Sequence, residues 1–473
     1  MAIKLKRFVD ININYNLSTS SNATRDTAVL IVNRLKKDSE TGTDVIYSSE
    51  IFSSLKDFAD KTDEYNRFKE GKELYYYGYC FFNNGGKNIN LISVAKEATV
   101  TYPKVTDDDR IFTNGDLFID SAGATSATPQ NCNNGSQLYE AVGTAPETYA
   151  ATEDPQFVQN KTYFMDDQGA SVASPKSCEL YYENSVLNPL TQKDIETVID
   201  NLSEEMIVIT SNAPWNIMKD VCDSLYNEQE GMNIESKLIL SCIPNTITTL
   251  PEAEHITSNG FVLKYGTPGV QMAIAAYLTQ INANRPNSVQ DYYFTTETVQ
   301  YLNGKEKIGY VCEDDSLAET LLALEINFNS TLVNEVRNLG GNTTKGKDLV
   351  NEFMLILVHQ TLTERLVQLL TQKIKYNQTG LSLVGATIAD ELQRYVNNGY
   401  LTTDKIWTDP DLIQDGITII NKNTPLQNGY KYVILPFSTL SAEDRQNHKL
   451  PSIYILIADS YAIRKIEIDG EVF

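Results

Sequence analysis

Short apolar runs alternate with longer amphipathic runs between residues 206 and 281, and this alternation constrains the fold more than any other sequence feature. The strand-like runs are 206–209, 238–242 and 260–263, and the helical runs are 215–226 and 270–281. Strands that alternate with helices at this distance are typical of an α/β domain with a largely parallel sheet. We therefore predict such a sheet, with further strands at 28–32 and 90–94.

Two more segments belong to this first half of the chain. Residues 51–59 are predicted to form a helix capped by Ser48 or Ser49. Residues 74–82 are rich in Tyr and Phe, with no interleaved Lys or Arg. A platform that stacks nucleic-acid bases needs such cations, so we predict a packed core segment instead.

The second half of the chain predicts a mixed α+β unit. Apolar spacing predicts helices at 316–338, 349–375 and 386–397, strands and turns over 410–436, and a buried strand at 453–458. The predicted fold class is therefore multidomain, α/β together with α+β.

A compositional break separates two parts of the α/β region. Residues 101–175 hold eleven acidic residues against three basic ones, and their middle is rich in Ser, Thr, Ala, Gly and Pro. We interpret residues 96–175 as a solvent-facing insertion, either a small β-rich subdomain or a large ordered loop.

Charge and hydropathy exclude several classes of protein. The formal net charge of −23 argues against direct nucleic-acid binding, which needs clustered Lys and Arg. The longest apolar run, 272–278, is far shorter than the roughly 20 residues that span a bilayer. The N-terminus lacks the apolar stretch of a signal peptide, so we expect no membrane insertion and synthesis in a cytoplasm.

Catalytic and metal-binding patterns are sparse. The chain has three His and six widely spaced Cys, which we expect to be buried or incidental thiols. The acidic run at 107–109 does not fit a calcium loop. We predict no catalytic residues, no metal and no cofactor.

Residues 341–348 nearly match the phosphate-binding P-loop spacing. The final position is Asp348, which lacks the hydroxyl that would hold Mg²⁺ and would repel phosphate. We also expect this segment to follow a helix at 332–339, with Gly340 and Gly341 as its C-cap. Both points disfavour nucleotide binding.

Both chain termini are predicted to be strands. Near the N-terminus, Val9, Ile11, Ile13 and Tyr15 alternate with polar residues, and the polar stretch 18–24 separates them from the next strand. The corresponding C-terminal residues are Ile463, Ile466, Ile468 and Val472. The N-terminal strand, which has no hairpin partner nearby, must pair with a distant part of its own chain or with another chain.

The order of several motifs resembles contractile bacteriophage tail sheath proteins. Asn83, Asn84, Gly85 and Gly86 follow Phe81–Phe82 and precede a short strand, as in that family. The C-terminal segments YLTTDKIW (400–407), PLQNGY (425–430), IYILIAD (453–459) and IEIDGEVF (466–473) are similar to its C-terminal region.

The resemblance implies a domain plan and a role for the terminal strands. The plan is an N-terminal strand arm (1–20), an outer α/β domain (21–290), an inner α+β domain close to a tail tube (291–450) and a C-terminal strand arm (451–473). In this family the arms leave their own subunit and add strands to a neighbour's sheet, which is β-augmentation.

The resemblance also implies partners and a location. The partners are further copies in a helical assembly of stacked hexameric rings, the tail tube protein, and the baseplate and tail terminator proteins. The location is the virion tail, and Arg365, Lys373 and Lys375, placed on the long helix at 349–375, are candidates to face the tube.

Two other functions stay open at this point. One is a different structural virion protein, such as a tail tube, baseplate or capsid component. The other is an α/β enzyme whose site is built from ordinary Asp, Glu and Lys residues.

Overall fold

The structure is a computed structural model. It describes residues 26–37, 39–40, 45–101, 116–119, 138–141, 149–151, 163–165, 179–182, 184–202, 206–225, 237–247, 249–282, 292–297, 300–302, 306–308, 310–332, 334–414 and 416–458. The predicted arm residues Val9, Ile11, Ile13, Tyr15, Ile463, Ile466, Ile468 and Val472 lie outside these segments.

The described residues form two compact units. Of these described residues, those within 26–32, 45–94 and 190–458 belong to the first unit, and those within 33–40 and 95–189 belong to the second.

The elements of residues 26–187 are mainly strands. The first are β1 (Thr27–Leu35), β2 (Tyr47–Phe52), α1 (Leu55–Ala59), α2 (Tyr75–Phe82), β3 (Asn88–Lys96) and β4 (Ala98–Thr101). They are followed by β5 (Asp116–Ile119), β6 (Leu138–Ala141), β7 (Tyr149–Ala151), β8 (Tyr163–Met165), β9 (Glu179–Tyr182) and β10 (Asn184–Leu187).

From residue 192 onward, helices and strands are mixed. The elements up to residue 280 are α3 (Gln192–Asp200), β11 (Val208–Ser211), α4 (Trp215–Leu225), β12 (Leu238–Pro244), α5 (Ala253–Ile256), β13 (Phe261–Gly266) and α6 (Gln271–Gln280). Those up to residue 339 are β14 (Gln300–Leu302), β15 (Glu306–Ile308), β16 (Val311–Cys312), α7 (Asp315–Ala323), β17 (Phe328–Leu332) and β18 (Glu335–Leu339). The last are α8 (Leu349–Thr371), α9 (Gln378–Asn397), β19 (Leu412–Gln414), β20 (Ile417–Ile420), β21 (Tyr430–Ile434), α10 (Ala442–Gln446) and β22 (Ile453–Ile457).

A six-stranded sheet with the order β13-β12-β11-β1-β3-β2 forms the α/β part of the first unit. Strands β13, β12, β11 and β1 are parallel, and β2 is antiparallel to β3. The predicted α/β fold with a largely parallel sheet is therefore confirmed.

Both faces of the parallel strands β13, β12, β11 and β1 are buried, which explains why these strands are continuous apolar runs. One row of neighbours, Val29, Ile209, Ile239 and Phe261, packs with residues of α3, α4 and α7. On the opposite face, Leu30, Leu240 and Val262 pack with α2 and α6.

The aromatic segment forms α2 and packs in the core. Tyr77, Tyr79 and Phe81 are buried, as the sequence predicted. Cys80 in the same helix is a free buried thiol, as are Cys222, Cys242 and Cys312. Burial raises the pKa of the Cys80 thiol to about 12, so this thiol stays protonated.

The second unit contains the predicted insertion, and its strands favour the β-rich subdomain over the loop. Strands β5–β9 form a five-stranded sheet with the order β7-β6-β8-β5-β9, and β4 pairs with β10. The unit extends to Pro189, beyond the predicted end at residue 175.

The helix predicted at 51–59 is wrong in its first half. Ile51 and Phe52 end strand β2, and α1 begins at Leu55 with Ser54, rather than Ser48 or Ser49, accepting a hydrogen bond from the Asp57 N–H. Because most side chains of β2 are exposed, its sequence lacks the apolar alternation of a half-buried strand.

The helix predicted at 316–338 is also wrong beyond Ala323. Residues 328–339 form the hairpin β17–β18, in which Phe328 pairs with Leu339 and Asn334 adopts a left-handed φ of 67° near the turn. The apolar residues there have spacings that also fit a helix, and the cross-strand partners decide between the two.

The segment 341–348 therefore follows strand β18 and not a helix, and Gly340 and Gly341 are not a helix C-cap. A Cβ atom at Gly340 would lie 3.0 Å from the backbone Cα of Asn327, and Gly340 has a left-handed φ of 111°, so this position requires glycine. The Asp348 side chain accepts the Asn351 N–H at 2.9 Å and occupies the N-terminus of α8, where a phosphate would bind.

No helix among the described residues combines the length and apolar character needed to cross a membrane.

Candidate assembly site in the C-terminal region

Helix α8 anchors the C-terminal region in the core. Asp348 caps its first turn, and every residue over 349–363 is buried. The helix ends at Thr371, earlier than predicted, so Lys373 and Lys375 lie beyond it; both are exposed. Lys373 has a left-handed φ of 56°, which fits the end of a helix rather than its interior.

Helix α9 packs closely on strand β21. A Cβ atom at Gly385 would lie 3.0 Å from a ring carbon of Tyr432 and 3.1 Å from its hydroxyl oxygen. The Tyr430 hydroxyl donates a hydrogen bond of 3.2 Å to the Ala389 carbonyl. The glycine and the tyrosine together fix the strand against the helix.

Strands β21 and β22 form a two-stranded antiparallel sheet that is covered on both faces. Ile455 and Ile457 join the main core on the α9 side. Leu435, Leu456 and Ala458 pack on the other side with a smaller cluster that includes Ile419, Ile420 and Leu426. This double coverage explains the apolar run at 453–458, which the sequence correctly predicted as a buried strand.

The outer edges of this sheet have no strand partner among the described residues. The Leu435 N–H donates to the Ser452 carbonyl at 3.0 Å, and the Ala458 N–H to the Gly429 carbonyl at 2.9 Å. In an antiparallel sheet, hydrogen-bonded residue pairs alternate with pairs that are not hydrogen-bonded to each other. Tyr432 and Ile453 belong to pairs of the second kind, so their backbone N–H and C=O groups point away from the partner strand, toward the outer edges of the sheet. Two strands alone make a marginal sheet, and an uncovered edge is a template for another strand.

A charged cluster lies where α8 and α9 meet. Glu391 is buried, with a side chain only 1 % exposed, and it pairs with Arg394 and with the Nε of Arg365 at 3.4 Å. Arg394 also stacks 4.9 Å above the Tyr395 ring, whose hydroxyl shares a 2.8 Å hydrogen bond with the Thr361 hydroxyl. Burial raises the pKa of Tyr395 and keeps it neutral.

The cluster borders a surface depression of about 390 Å³. Arg365, which is half exposed, faces this depression while its guanidinium is held by the buried carboxylate. The sequence singled out Arg365 but missed Glu391 and Arg394. Their i, i+3 spacing was the available signal, although such pairs are common on solvated helices.

The described residues contain one group of side chains with the composition of a metal site. Glu252, Glu254 and His255 place ligand atoms within 4.8 Å of one another, but all three are exposed. Exposed acidic groups commonly lie together without a metal, and we assign no metal to this group.

The sequence model of the E217 tail sheath protein gp31-like C-terminal domain matches residues 350–472. Residues 350–472 are therefore similar to the C-terminal domain of a tail sheath protein. The resemblance to tail sheath proteins stated from the sequence is thereby confirmed over the region that holds α8, α9 and the β21–β22 sheet. The family is structural.

Two solved structures were found in a comparison with this chain. A chain in the cryo-EM structure of the anti-feeding prophage baseplate has a TM-score of 0.50 and 12 % identity, covering 98 % of both chains. The two chains therefore share a fold over nearly their whole length. A sheath tail protein from Desulfitobacterium hafniense has a TM-score of 0.38 and 9 % identity, covering 85 % of this chain and 94 % of that one. No curated protein matches the chain.

Proposed function

We propose that this chain is the subunit of a contractile tail sheath, which polymerises helically around a tail tube and contracts to drive the tube through a host envelope. The β21–β22 sheet carries the proposal, because its faces are covered and its edges are unpartnered among the described residues. Such a sheet is suited to receive strands from other copies.

The strands that fill these edges are the terminal arms. Val9, Ile11, Ile13 and Tyr15 of one copy, and the C-terminal residues Ile463, Ile466, Ile468 and Val472 of another, extend the sheet. Backbone hydrogen bonds in a shared sheet are directional, so the link holds while subunits rotate. The polar stretch 18–24 is the linker between the N-terminal arm and the rest of the subunit, and it allows the two to change their relative position during this motion.

The proposed lattice consists of stacked hexameric rings in the virion tail, with the tail tube, the baseplate and the tail terminator as its other partners. Residues 291–450 lie close to the tube, and 21–290 form the outer domain. Arg365, Lys373 and Lys375 face the tube, and the buried Glu391 supports Arg365 in that role. The work of contraction comes from subunits changing contacts, so the subunit needs no catalytic residue.

Negative-stain electron microscopy of the purified chain tests this function. The full chain is expected to form wide, hollow, helically striated tubes. Deletion of residues 1–15 or 460–473 is expected to leave a folded subunit that forms no tubes.

A pair of single substitutions tests the N-terminal arm. Ile13→Pro removes one backbone N–H of the arm, and Ile13→Val, which keeps that N–H, is the matched control. Only the proline variant should lose assembly. A chain that stays monomeric at every concentration contradicts the proposal, and closed oligomers without tubes favour another structural virion component.

A further inference from the structure

A charged and polar cluster is enclosed in the first unit. Lys264 on β13 has a fully buried side chain and pairs with Glu297, whose side chain is 5 % exposed. The Lys264 Nζ lies 2.9 Å from the Tyr292 hydroxyl and 3.3 Å from the Oδ1 of Asn338 on β18. The Tyr292 hydroxyl also donates to Glu297.

The surroundings of the cluster favour an uncharged amine. Desolvation lowers the pKa of Lys264, although the Glu297 carboxylate opposes this effect. A buried ion pair is expensive, and moving one proton from Nζ to the carboxylate yields two neutral groups. The amine so formed is a nucleophile.

The side-chain amide of Asn338 is held in a fixed orientation. Its Oδ1 faces the Lys264 Nζ, and its Nδ2 donates to the Tyr292 carbonyl at 3.4 Å. The backbone around it is also fixed, because the Phe294 N–H donates to the Asn338 carbonyl at 2.8 Å and the Asn338 N–H to the Thr295 carbonyl at 2.9 Å. The Nζ is therefore held beside the amide group that it attacks, 3.3 Å from its oxygen, and groups held in a fixed orientation react at a very high effective concentration.

We propose that Lys264 and Asn338 form an intramolecular isopeptide bond, with Glu297 moving the protons. The Nζ attacks the Asn338 Cγ after giving a proton to Glu297, and one new C–N bond forms. Glu297 then delivers that proton to Nδ2, the old C–N bond breaks, and ammonia leaves. The second Nζ proton passes to the Glu297 carboxylate, so that the new amide nitrogen keeps a single proton. The step requires no oxidant, reductant or further reactant.

The bond joins two sheets by a covalent link. Strand β13 is at one edge of the six-stranded sheet, and β18 belongs to the three-stranded sheet β16-β17-β18. The link closes a loop from residue 264 to residue 338, which restricts the unfolded chain in the way a disulfide does. It leaves the free Cys80 and Cys242 thiols untouched, so it does not depend on the redox environment.

Intact-mass spectrometry of the purified full chain tests the proposal directly. The chain is expected to be lighter than its sequence mass by one ammonia molecule. Tryptic digestion is expected to yield a branched peptide that joins Lys264 to Asn338, with no cleavage after Lys264. A chain of full sequence mass that trypsin cleaves after Lys264 overturns the proposal, without reference to any variant.

Variants identify the role of Glu297. Glu297→Gln keeps the shape of the side chain but removes the proton carrier, so the chain is expected to have its full sequence mass. Glu325→Gln is the matched control, because Glu325 accepts a 2.6 Å hydrogen bond from Asn342 outside the cluster. It is expected to retain the loss of ammonia, and a Glu297→Gln chain that still loses ammonia would exclude Glu297 as the proton carrier.

Discussion

The edge strands of the six-stranded sheet differ from those of the two-stranded sheet β21–β22 in how they are covered and in which residues they carry. At one edge of the large sheet, the Tyr265 N–H donates to the Asn327 carbonyl at 2.8 Å and covers β13. At the other edge, β2 is mostly exposed and carries the polar residues Ser48, Ser49 and Glu50. Strand β22, by contrast, is wholly apolar and carries no charge or proline.

This difference indicates which of the two sheets can add a strand at its edge. Polar edge residues and covering segments prevent a sheet from adding strands, and the large sheet has both. The β21–β22 sheet has neither device at β22, which fits an edge that receives a strand. Four predictions test the contrast.

The largest effect is expected from Ile453→Pro. Ile453 is the first residue of β22, and its N–H points away from β21, so proline removes a donor to an added strand without breaking the existing pair. Tubes seen by electron microscopy should disappear. Ile453→Ala removes the same side chain but keeps the N–H and should still assemble; a proline variant that assembles equally well contradicts the edge assignment.

Gly385→Val should loosen the sheet from α9. The added side chain meets Tyr432 at 3.0 Å, and overpacking of this kind costs about 1–3 kcal/mol. Thermal unfolding measures the loss. Ala386→Val, at an exposed position of the same helix, carries only the helix-propensity cost of less than about 0.7 kcal/mol. Equal losses for the two variants would mean that the close contact is unimportant.

Glu391→Gln should have a smaller effect on stability. It removes the charge that pairs with Arg365 and Arg394, and hydrogen bonds to charged groups contribute about 1.5–3 kcal/mol. Because both arginines are partly exposed, we expect about 1.5 kcal/mol by denaturant unfolding. Asp390→Asn, on the exposed side of the same helix, serves as the control and should be nearly neutral.

The smallest effect is expected from Glu50→Ala on β2. It removes the ion pair with Lys61, and exposed pairs of this kind contribute about 0–1 kcal/mol. Tube formation should be unchanged, because this edge accepts no strand. A Glu50→Ala chain that fails to assemble would show that β2 also belongs to a subunit interface.

Sequence periodicity predicted the buried elements well and the exposed ones badly. The parallel strands near Ile209, Ile239 and Phe261 are covered on both faces, so their apolar runs are unambiguous. Strand β2 and the hairpin β17–β18 depend on cross-strand partners that a single segment does not reveal. For that reason the helix predictions wrongly include the end of β2, Ile51 and Phe52, and nearly all of the hairpin.

The candidate site was predictable only in part. The strand at 453–458 and the exposed Arg365 were both found from the sequence. The Glu391 carboxylate that holds Arg365 was missed, because the pair joins two helices that are separate in sequence. The open edges of β21–β22 follow from sheet order, which no local pattern encodes.

A high-resolution cryo-EM map of an assembled particle tests the central claim most directly. The β21–β22 sheet is expected to be extended at its edges by strands of neighbouring copies, one built from residues 3–15 and another from 461–473. A sheet that stays two-stranded in the assembly, or that is completed by strands of its own chain, would contradict the account.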